Sequence, residues 1–170
     1  FAKVPPVVFL VNYYGNTFPL SKLRVQTAAA LKQRYNGQFG LFGAWPEGIA
    51  TGNLMGNLAA EAMCYRSSKV AVGCNNINLD RYSSDRLWRA MGAGAMYMAH
   101  RYPGMDADFK DGVHLMTWST PDDMIEKVDA ILRDDEKRKS IARAGTELVH
   151  TRDTWQHRAD QMLGMLNSKV

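Results

Sequence analysis

The sequence predicts an α/β fold in which a parallel β-sheet is covered on both faces by helices. Short apolar runs, rich in β-branched and aromatic residues, alternate along the chain with longer segments of helical periodicity. The first run, Val7-Val8-Phe9-Leu10-Val11, is apolar at every position, as expected of a central strand covered on both faces. Because parallel strands are joined by right-handed crossovers, this alternation predicts a doubly wound, Rossmann-like sheet.

Four strands and three helices are predicted in the first hundred residues. The strands are expected at 7–11, 39–42, 69–74 and 95–99, each a short apolar run. The first helix should begin at Ser21, which can cap it, and end before the stop signal Asn36-Gly37. The second helix is predicted over 57–66 and the third from Ser83 or Ser84 to about Ala93. The Gly-rich stretch between the second strand and the second helix, 43–56, is expected to be a loop.

A helical segment at about 121–168 is predicted to close the domain. Thr120-Pro121-Asp122-Asp123 combines a capping hydroxyl, a first-turn Pro and two acids at the positive end of a helix. Three helices are expected, at about 121–132, 135–149 and 154–166. The apolar residues of the last helix fall on one stripe, which comprises Trp155, Ala159, Met162, Leu163 and Leu166.

Size and charge restrict the domain count and the class of partner. A chain of 170 residues, 46% of them hydrophobic, can bury one substantial core, so 1–170 is predicted to be a single domain. The formal charge of +4 is modest, and the richest basic run, 133–143, interleaves acidic residues as a solvated helix face does. Nucleic acid is therefore not the expected partner, but the small positive charge leaves an acceptor made of modified nucleic acid open.

The sequence also carries information on the expected cellular setting. Cys64 and Cys74 have neither zinc-site spacing nor a disulfide framework, so two reduced thiols are expected. No apolar run is long enough to span a bilayer, and the chain is expected to be cytoplasmic. It begins without an initiator Met, as a piece of a longer polypeptide would.

Ligands of open parallel sheets bind at the carboxyl ends of the strands, which nominates the loops 13–18, 44–52, 75–84 and 100–104. The third loop is the most informative, because Ser83-Ser84-Asp85-Arg86 would place hydroxyls, free backbone N–H groups and a guanidinium at one helix start. A diphosphate fits such a site, with Arg86 adding a charge-assisted fork. The alternative is an ordinary Ser cap with Arg86 paired to a surface acid.

The other loops carry weaker signals. Gly15-Asn16 permits close backbone approach to a phosphate or sugar, although a simple turn explains it equally. The indole of Trp45 could stack on a base or sugar, or it could serve packing. His100 could act as an acid, a base or a phosphate donor, or it could be a loop imidazole. No His, Asp, Glu or Cys arrangement predicts a metal site.

The stretch Ser84-Asp85-Arg86-Leu87-Trp88-Arg89-Ala90-Met91-Gly92-Ala93-Gly94-Ala95 resembles the carboxyl-terminal domain of group 1 glycosyltransferases, particularly the spore-protein CgeB-like branch. The shared pattern is a Ser-x-Arg helix start, a helix ending in Ala-x-Gly-Ala, and then a strand. Pro103-Gly104, Trp118 ahead of Pro121-Asp122-Asp123, and Thr154-Trp155-Gln156-His157-Arg158 continue the likeness, which runs from about Lys69 to Leu166.

The resemblance implies one half of a two-domain GT-B enzyme, a hexosyltransferase that uses a nucleoside diphosphate-sugar. A UDP-sugar is the expected donor, with no tightly bound cofactor and no metal, and the acceptor site belongs to an amino-terminal domain or a partner chain. By position, Ser84 and Arg86 would lie near the diphosphate, and Gly15-Asn16 near the phosphate or sugar. Trp45 and Asn75 would lie near the base or ribose. No catalytic residue is assigned.

One departure from the wider superfamily bears on the mechanism. Many retaining members carry two Glu residues eight positions apart, where this chain has Arg81 and Arg89. Retaining stereochemistry is therefore unsupported, and Arg89 is either a phosphate ligand or an exposed helix residue. The missing Glu pair also leaves open a non-catalytic nucleotide-binding or scaffolding domain of the same fold.

Overall fold

The fold is a five-stranded parallel sheet flanked by helices, and the predicted doubly wound α/β class is confirmed. The computed structural model describes residues 4–54 and 56–167. The strands lie in the order β2-β1-β3-β4-β5, and every neighbouring pair is parallel. They are β1 (Val7–Leu10), β2 (Phe39–Phe42), β3 (Val70–Gly73), β4 (Met96–His100) and β5 (Met116–Trp118).

Six α-helices connect and cover the strands within the described residues. They are α1 (Ser21–Tyr35), α2 (Leu58–Ser67), α3 (Arg86–Gly92), α4 (Pro121–Arg133), α5 (Asp135–Arg152) and α6 (Trp155–Asn167). The predicted cap of α4 is present, since the Thr120 side chain accepts a hydrogen bond from the Asp123 N–H. Ser21 does not cap α1 as predicted. Leu20 holds that position, and the Ser21 hydroxyl accepts instead from the Phe18 N–H.

Alternate residues of each strand feed two separate hydrophobic cores, which is why the strands are apolar throughout. In β1, Val7 and Phe9 pack toward α1 and α4, whereas Val8 and Leu10 pack toward α2, α3 and α5. All four are at most 7% exposed. The sheet is thus buried on both faces, and polar groups that bind a ligand must lie beyond the ends of its strands.

The strand order creates a crevice between β1 and β3. The chain passes from β1 outward to β2 on one side and then from β3 to β4 and β5 on the other. At such a switch point the loops that leave the carboxyl ends of the two central strands diverge. The residues after β1 and after β3 therefore line one concave region.

The structure differs from the prediction at the start of the third helix and in the number of strands. α3 begins at Arg86, with Asp85 at the N-cap position, and not at Ser83 or Ser84. The Asn75 side chain holds the preceding segment as a loop, because its Oδ1 accepts the Ser84 N–H at 3.2 Å and its Nδ2 donates to the Tyr82 carbonyl at 3.0 Å. The strand β5, of only three residues, was not predicted.

Helix α6 carries the predicted apolar stripe but does not pack it against the core. No residue of α6 is buried, and Trp155 is 86% exposed. The start of the helix is nevertheless fixed, because the buried carboxylate of Asp153 accepts hydrogen bonds from Arg152 and Arg158. The helix is held in place at its base with an uncovered apolar face. Within the described residues, no helix combines the length and the apolarity needed to cross a membrane.

Candidate functional site

A buried arginine joins the two loops at the switch point. Arg24, only 2% exposed, lies on the inward stripe of α1. Its guanidinium donates to the Asn12 carbonyl (3.3 Å) after β1, and to the carbonyls of Cys74 (3.0 Å) and Asn75 (3.2 Å) after β3. All three acceptors are neutral, and no described carboxylate forms an ion pair with Arg24. A full positive charge thus lies in the crevice without a counter-ion.

The burial of this charge is reflected in the pKa of Arg24. Burial, together with a smaller contribution from the positive charge of Arg86, lowers the pKa of Arg24 to about 10. The guanidinium is still protonated at neutral pH, so the two arginines repel each other. An anion between or beside them would relieve that repulsion.

Arg86 opens α3 and directs its side chain into the same region. Its Nη2 is buried and has no hydrogen-bond partner among the described residues. Burial raises the pKa values of Tyr97 and Cys74, and the positive charge of Arg86 is close enough to offset part of that rise. The alternative in which Arg86 pairs with a surface acid finds no support in the described part of the chain. Arg86 therefore retains an unused donor, which is unusual for a buried nitrogen.

A small cleft opens beside Arg86 at the ends of β1 and β2. Its volume is about 90 Å³. The polar wall of this cleft is formed by Asn12, Glu61, Arg86 and Arg89, and the apolar wall by Leu10, Phe42 and Leu54. The cleft is lined by groups of both charges, as expected where a ligand has an anionic part and a neutral polar part.

Arg89 is fixed by two carboxylates. Its Nη1 donates to Glu61 Oε2 at 2.6 Å and its Nη2 to Asp85 Oδ2 at 2.9 Å. The side chain of Arg89 is 33% exposed, so this helix residue is partly buried. Both terminal nitrogens are engaged, and a phosphate contact would have to displace an acid or use the unpaired, buried Nε.

The predicted loop residues surround this region in different roles. Gly15 has a φ of +57° in an exposed turn closed by the Thr17 N–H on the Tyr14 carbonyl, and the adjacent Asn16 is exposed. Trp45 donates its indole N–H to the Val11 carbonyl at 2.7 Å, and its ring lies 5.4 Å from that of Tyr13. Trp45 therefore packs at the ends of β1 and β2, which is the packing alternative, with stacking on a ligand still a prediction.

The loop after β3 is less open than predicted. Asn75 is 6% exposed, and its side-chain amide is engaged by Tyr82, Ser83 and Ser84. The prediction of free amides at Ser83-Ser84 is wrong for the Ser84 N–H, because Asn75 Oδ1 accepts its hydrogen bond. Direct ligand contacts from Asn75, Ser83 and Ser84 remain predictions.

Sequence reasoning missed Arg24, Asn12 and Glu61. A signal existed for Arg24, since it shares one helical stripe with the buried Ala28 and Leu31, and a cation on such a stripe must be buried. For Glu61 the only signal was an acid in the first turn of α2, which ordinary dipole stabilisation explains. Asn12 gave no signal beyond its position after a strand.

His100 and the search for metal ligands complete the description. The His100 ring packs on Trp118 at 4.7 Å, and burial lowers its pKa. It ends β4 and does not line the cleft described above. Across residues 4–54 and 56–167, no group of three or more His, Cys, Asp or Glu side chains is arranged to hold a metal ion.

Several solved structures share this fold. The C-terminal domain of the group 1 glycosyl transferase LpcC from Francisella tularensis is 14% identical, with a TM-score of 0.65 over 90% of this chain and 89% of that one. Anabaena Alr3699/HepE, solved with UDP and glucose, is 12% identical with a TM-score of 0.75, over 97% of this chain and 49% of HepE. Sucrose-phosphate synthase from Thermosynechococcus elongatus is 17% identical with a TM-score of 0.67, over 99% and 46%.

The chain therefore corresponds to about half the length of HepE, and its fold is that of carboxyl-terminal GT-B domains. No curated protein sequence matches it. The model of the family described as glycosyl transferase-like matches residues 24–164, which is most of the chain. The chain belongs to this glycosyl transferase-like family.

Proposed function

We propose that the chain is the donor-binding half of a hexosyltransferase of the CgeB-like branch, and that it binds a nucleoside diphosphate-sugar in the crevice between β1 and β3. The observation that carries this proposal is the convergence of Arg24 and Arg86 without an acidic partner among the described residues. Two guanidiniums in a partly dry crevice favour a multiply charged anion, because charge-assisted hydrogen bonds are strongest there.

A relative of the same fold supports a nucleotide as this anion. HepE, which shares the fold, was solved with UDP-glucose as well as with UDP and glucose. A UDP-sugar is therefore the first donor to test on this chain. The exposed Gly15-Asn16 turn and the Trp45 loop flank the crevice and offer a backbone and an aromatic ring to the remainder of such a ligand.

In this role the arginines act on the leaving group. Transfer of the sugar leaves a diphosphate with additional negative charge, and a fixed guanidinium near that charge lowers the barrier more than water does. Arg86, with its unused Nη2, is the residue placed to donate to it. Arg24 contributes mainly through its charge, since its nitrogens already hold three carbonyls.

We further propose that the acceptor binds to a second domain, either on the same polypeptide or on a partner chain, and that α6 contacts that domain. HepE has about as much chain outside the matched region as within it. The α6 face carries Trp155, Met162, Leu163 and Leu166, which are 57–86% exposed, and an exposed apolar face is costly unless it is covered. Asp153 holds the helix at its base, so the face is presented in a fixed direction.

A non-catalytic nucleotide-binding or scaffolding domain remains the second candidate. It is favoured by Arg89, which stands where many retaining enzymes have a Glu and which is engaged by Glu61 and Asp85. Two assays separate the candidates. A non-catalytic nucleotide-binding domain binds nucleotide but releases no UDP from a UDP-sugar when the second domain is present, and a scaffold that has lost donor affinity gives no heat with any nucleotide-sugar.

The first experiment is calorimetric titration of the chain with uridine, UMP, UDP and UDP-glucose. We expect affinity to rise with each phosphate, and Arg86→Ala to weaken UDP about 10- to 100-fold while leaving uridine unchanged. Arg66→Ala, an exposed α2 arginine, is the matched control and should change nothing. Absence of heat with every nucleotide, or unchanged UDP affinity in Arg86→Ala, would overturn the proposal.

A further inference from the structure

The cleft beside Arg86 contains an acid that diphosphate binding does not explain. Glu61 lies in the first turn of α2, and its side chain is 13% exposed. The start of that helix is fixed by the Asn57 side chain, which accepts the Ala60 N–H at 3.0 Å. A mostly buried carboxylate therefore faces the cleft from a rigid position.

Arg89, which also lines the cleft, fixes the orientation of this carboxylate. Glu61 Oε2 accepts from Arg89 Nη1, while Asp85 holds the other terminal nitrogen of Arg89. Only Oε2 of Glu61 is engaged within the described residues. The carboxylate thus keeps acceptor capacity on Oε1, on a side chain that lines the cleft.

A carboxylate in this place repels phosphate, so its free acceptor suits a neutral donor. Arg86 and Arg24 attract the anionic part of a ligand, and Glu61 discourages that part from entering the cleft. Hydroxyl groups are the donors that a nucleotide-sugar offers in abundance, and a carboxylate can accept from two neighbouring hydroxyls at once.

We propose that Glu61, held by Arg89, accepts hydrogen bonds from vicinal hydroxyl groups of the donor, either on its ribose or on its sugar. This inference rests on the proposed function and assigns the hydroxyl-bearing part of the ligand to the cleft. In this arrangement the pair of opposite charges sets the direction of the ligand, with phosphates toward Arg86 and hydroxyls toward Glu61.

The test is a set of calorimetric titrations of the wild-type chain, Glu61→Gln and Glu61→Ala. The ligands are UDP, its 2′-deoxy and 3′-deoxy analogues, UDP-glucose and inorganic pyrophosphate. Glu126→Gln, an exposed acid of α4, is the control. Thermal unfolding without ligand reports whether each variant keeps its fold.

In the wild type we expect the loss of a ribose hydroxyl to weaken binding of UDP about 10-fold or more. In Glu61→Ala the same loss should not weaken binding further, because the carboxylate that accepts from the hydroxyl is already gone. The result would assign the sugar hydroxyls instead if the wild type bound UDP and its deoxy analogues with equal affinity and bound UDP-glucose more tightly than Glu61→Ala does. Pyrophosphate should bind Glu61→Ala at least as tightly as it binds the wild type, because a repelling charge is gone.

Two outcomes overturn the inference and leave the proposed function intact. One is wild-type affinity of Glu61→Ala for both UDP and UDP-glucose. The other is an equal weakening of every ligand including pyrophosphate, which would mean that Glu61 acts only by holding Arg89. Failure of the wild type to bind any nucleotide would instead overturn the proposed function itself.

Discussion

Replacing Arg86 by Met should have opposite effects on the free and the liganded protein. Methionine keeps an unbranched side chain of similar length at the start of α3, but it removes the charge and the unpaired, buried Nη2. It also removes the positive charge that lowers the pKa of Arg24. Both losses relieve unfavourable features of the free protein.

The size of each effect follows from the structure. A buried donor without a partner costs about 1–3 kcal/mol, and we take about 1 kcal/mol because only part of the guanidinium is buried. A charge-assisted contact with diphosphate contributes about 2 kcal/mol, equivalent to about 30-fold in affinity. At a UDP concentration 100 times the wild-type Kd, the wild type gains about 2.7 kcal/mol and the variant about 0.9 kcal/mol.

Urea denaturation with and without UDP measures the result. Arg86→Met should be more stable than the wild type by about 1 kcal/mol without ligand, and less stable by about 0.8 kcal/mol at the stated UDP concentration. Arg66→Met should behave as the wild type in both conditions. A variant that is markedly less stable without ligand would show Arg86 to be a structural residue, and equal stabilisation by UDP would remove it from the binding site.

Three further predictions concern stability and reactivity. Burial raises the pKa of the Cys74 thiol to about 11, so alkylation at pH 8 should be at least about tenfold slower in the native than in the urea-unfolded chain. Because the pKa of this thiol is raised in the folded state, its contribution to stability is complete below pH 9 and falls as pH rises toward 11. In Cys74→Ala the free energy of unfolding should depend less on pH in this range, and an unchanged pH dependence would contradict the prediction. Asp153→Asn should lower the free energy of unfolding by about 1–3 kcal/mol more than Asp160→Asn in urea melts, since the Asp153 side chain is only 1% exposed and bonds two arginines. The double variant Met162→Glu and Leu166→Glu should change the free energy of unfolding by less than about 0.5 kcal/mol. Val149→Glu, at a buried residue of α5, should lower it by more than about 3 kcal/mol. A large loss of stability in the α6 double variant would show that the α6 face is covered in the isolated chain.

The fold could be predicted because its strands are local, repetitive signals. Each of β1 to β4 is an apolar run of four or five residues, and burial on both faces makes such runs visible without any knowledge of neighbours. β5 could not be found in this way. It has three residues, and it is set by pairing with β4 and by the Asp111 carboxylate, which accepts from the Thr117 N–H and hydroxyl.

The candidate site was predicted less completely because its geometry depends on distant parts of the chain. The start of α3 depends on Asn75, which lies nine residues before Ser84. The Asn75 side chain accepts a hydrogen bond from the Ser84 N–H and keeps this segment outside the helix. Local capping rules favoured Ser84, and a tertiary hydrogen bond overrode them. Arg86 lines the cleft at the ends of β1 and β2, but its lack of an acidic partner among the described residues is visible only in three dimensions.

Arg24 shows what a sequence can and cannot convey. A charged residue on a buried helical stripe predicts an internal cation, and this much was available from the spacing. Its three acceptors follow two different strands, and only the strand order that places β1 beside β3 brings them together. Sequence can therefore indicate that such a residue is special, whereas the topology determines what it joins.

Arg86 Nη2 is one of three buried polar atoms near this crevice that have no hydrogen-bond partner among the described residues. Two of them, Arg86 Nη2 and Arg89 Nε, belong to side chains that line the cleft, and a third, Asn76 Oδ1, lies in the loop after β3. Native proteins keep few such atoms, because each lowers stability, and a site that binds a ligand is where they are tolerated. In the proposed complex, a phosphate oxygen would accept from the arginine donors and a ligand hydroxyl would donate to the amide oxygen. The instability of the free crevice and the affinity for its ligand are then two measures of the same unpaired groups, so a variant that removes one should reduce both.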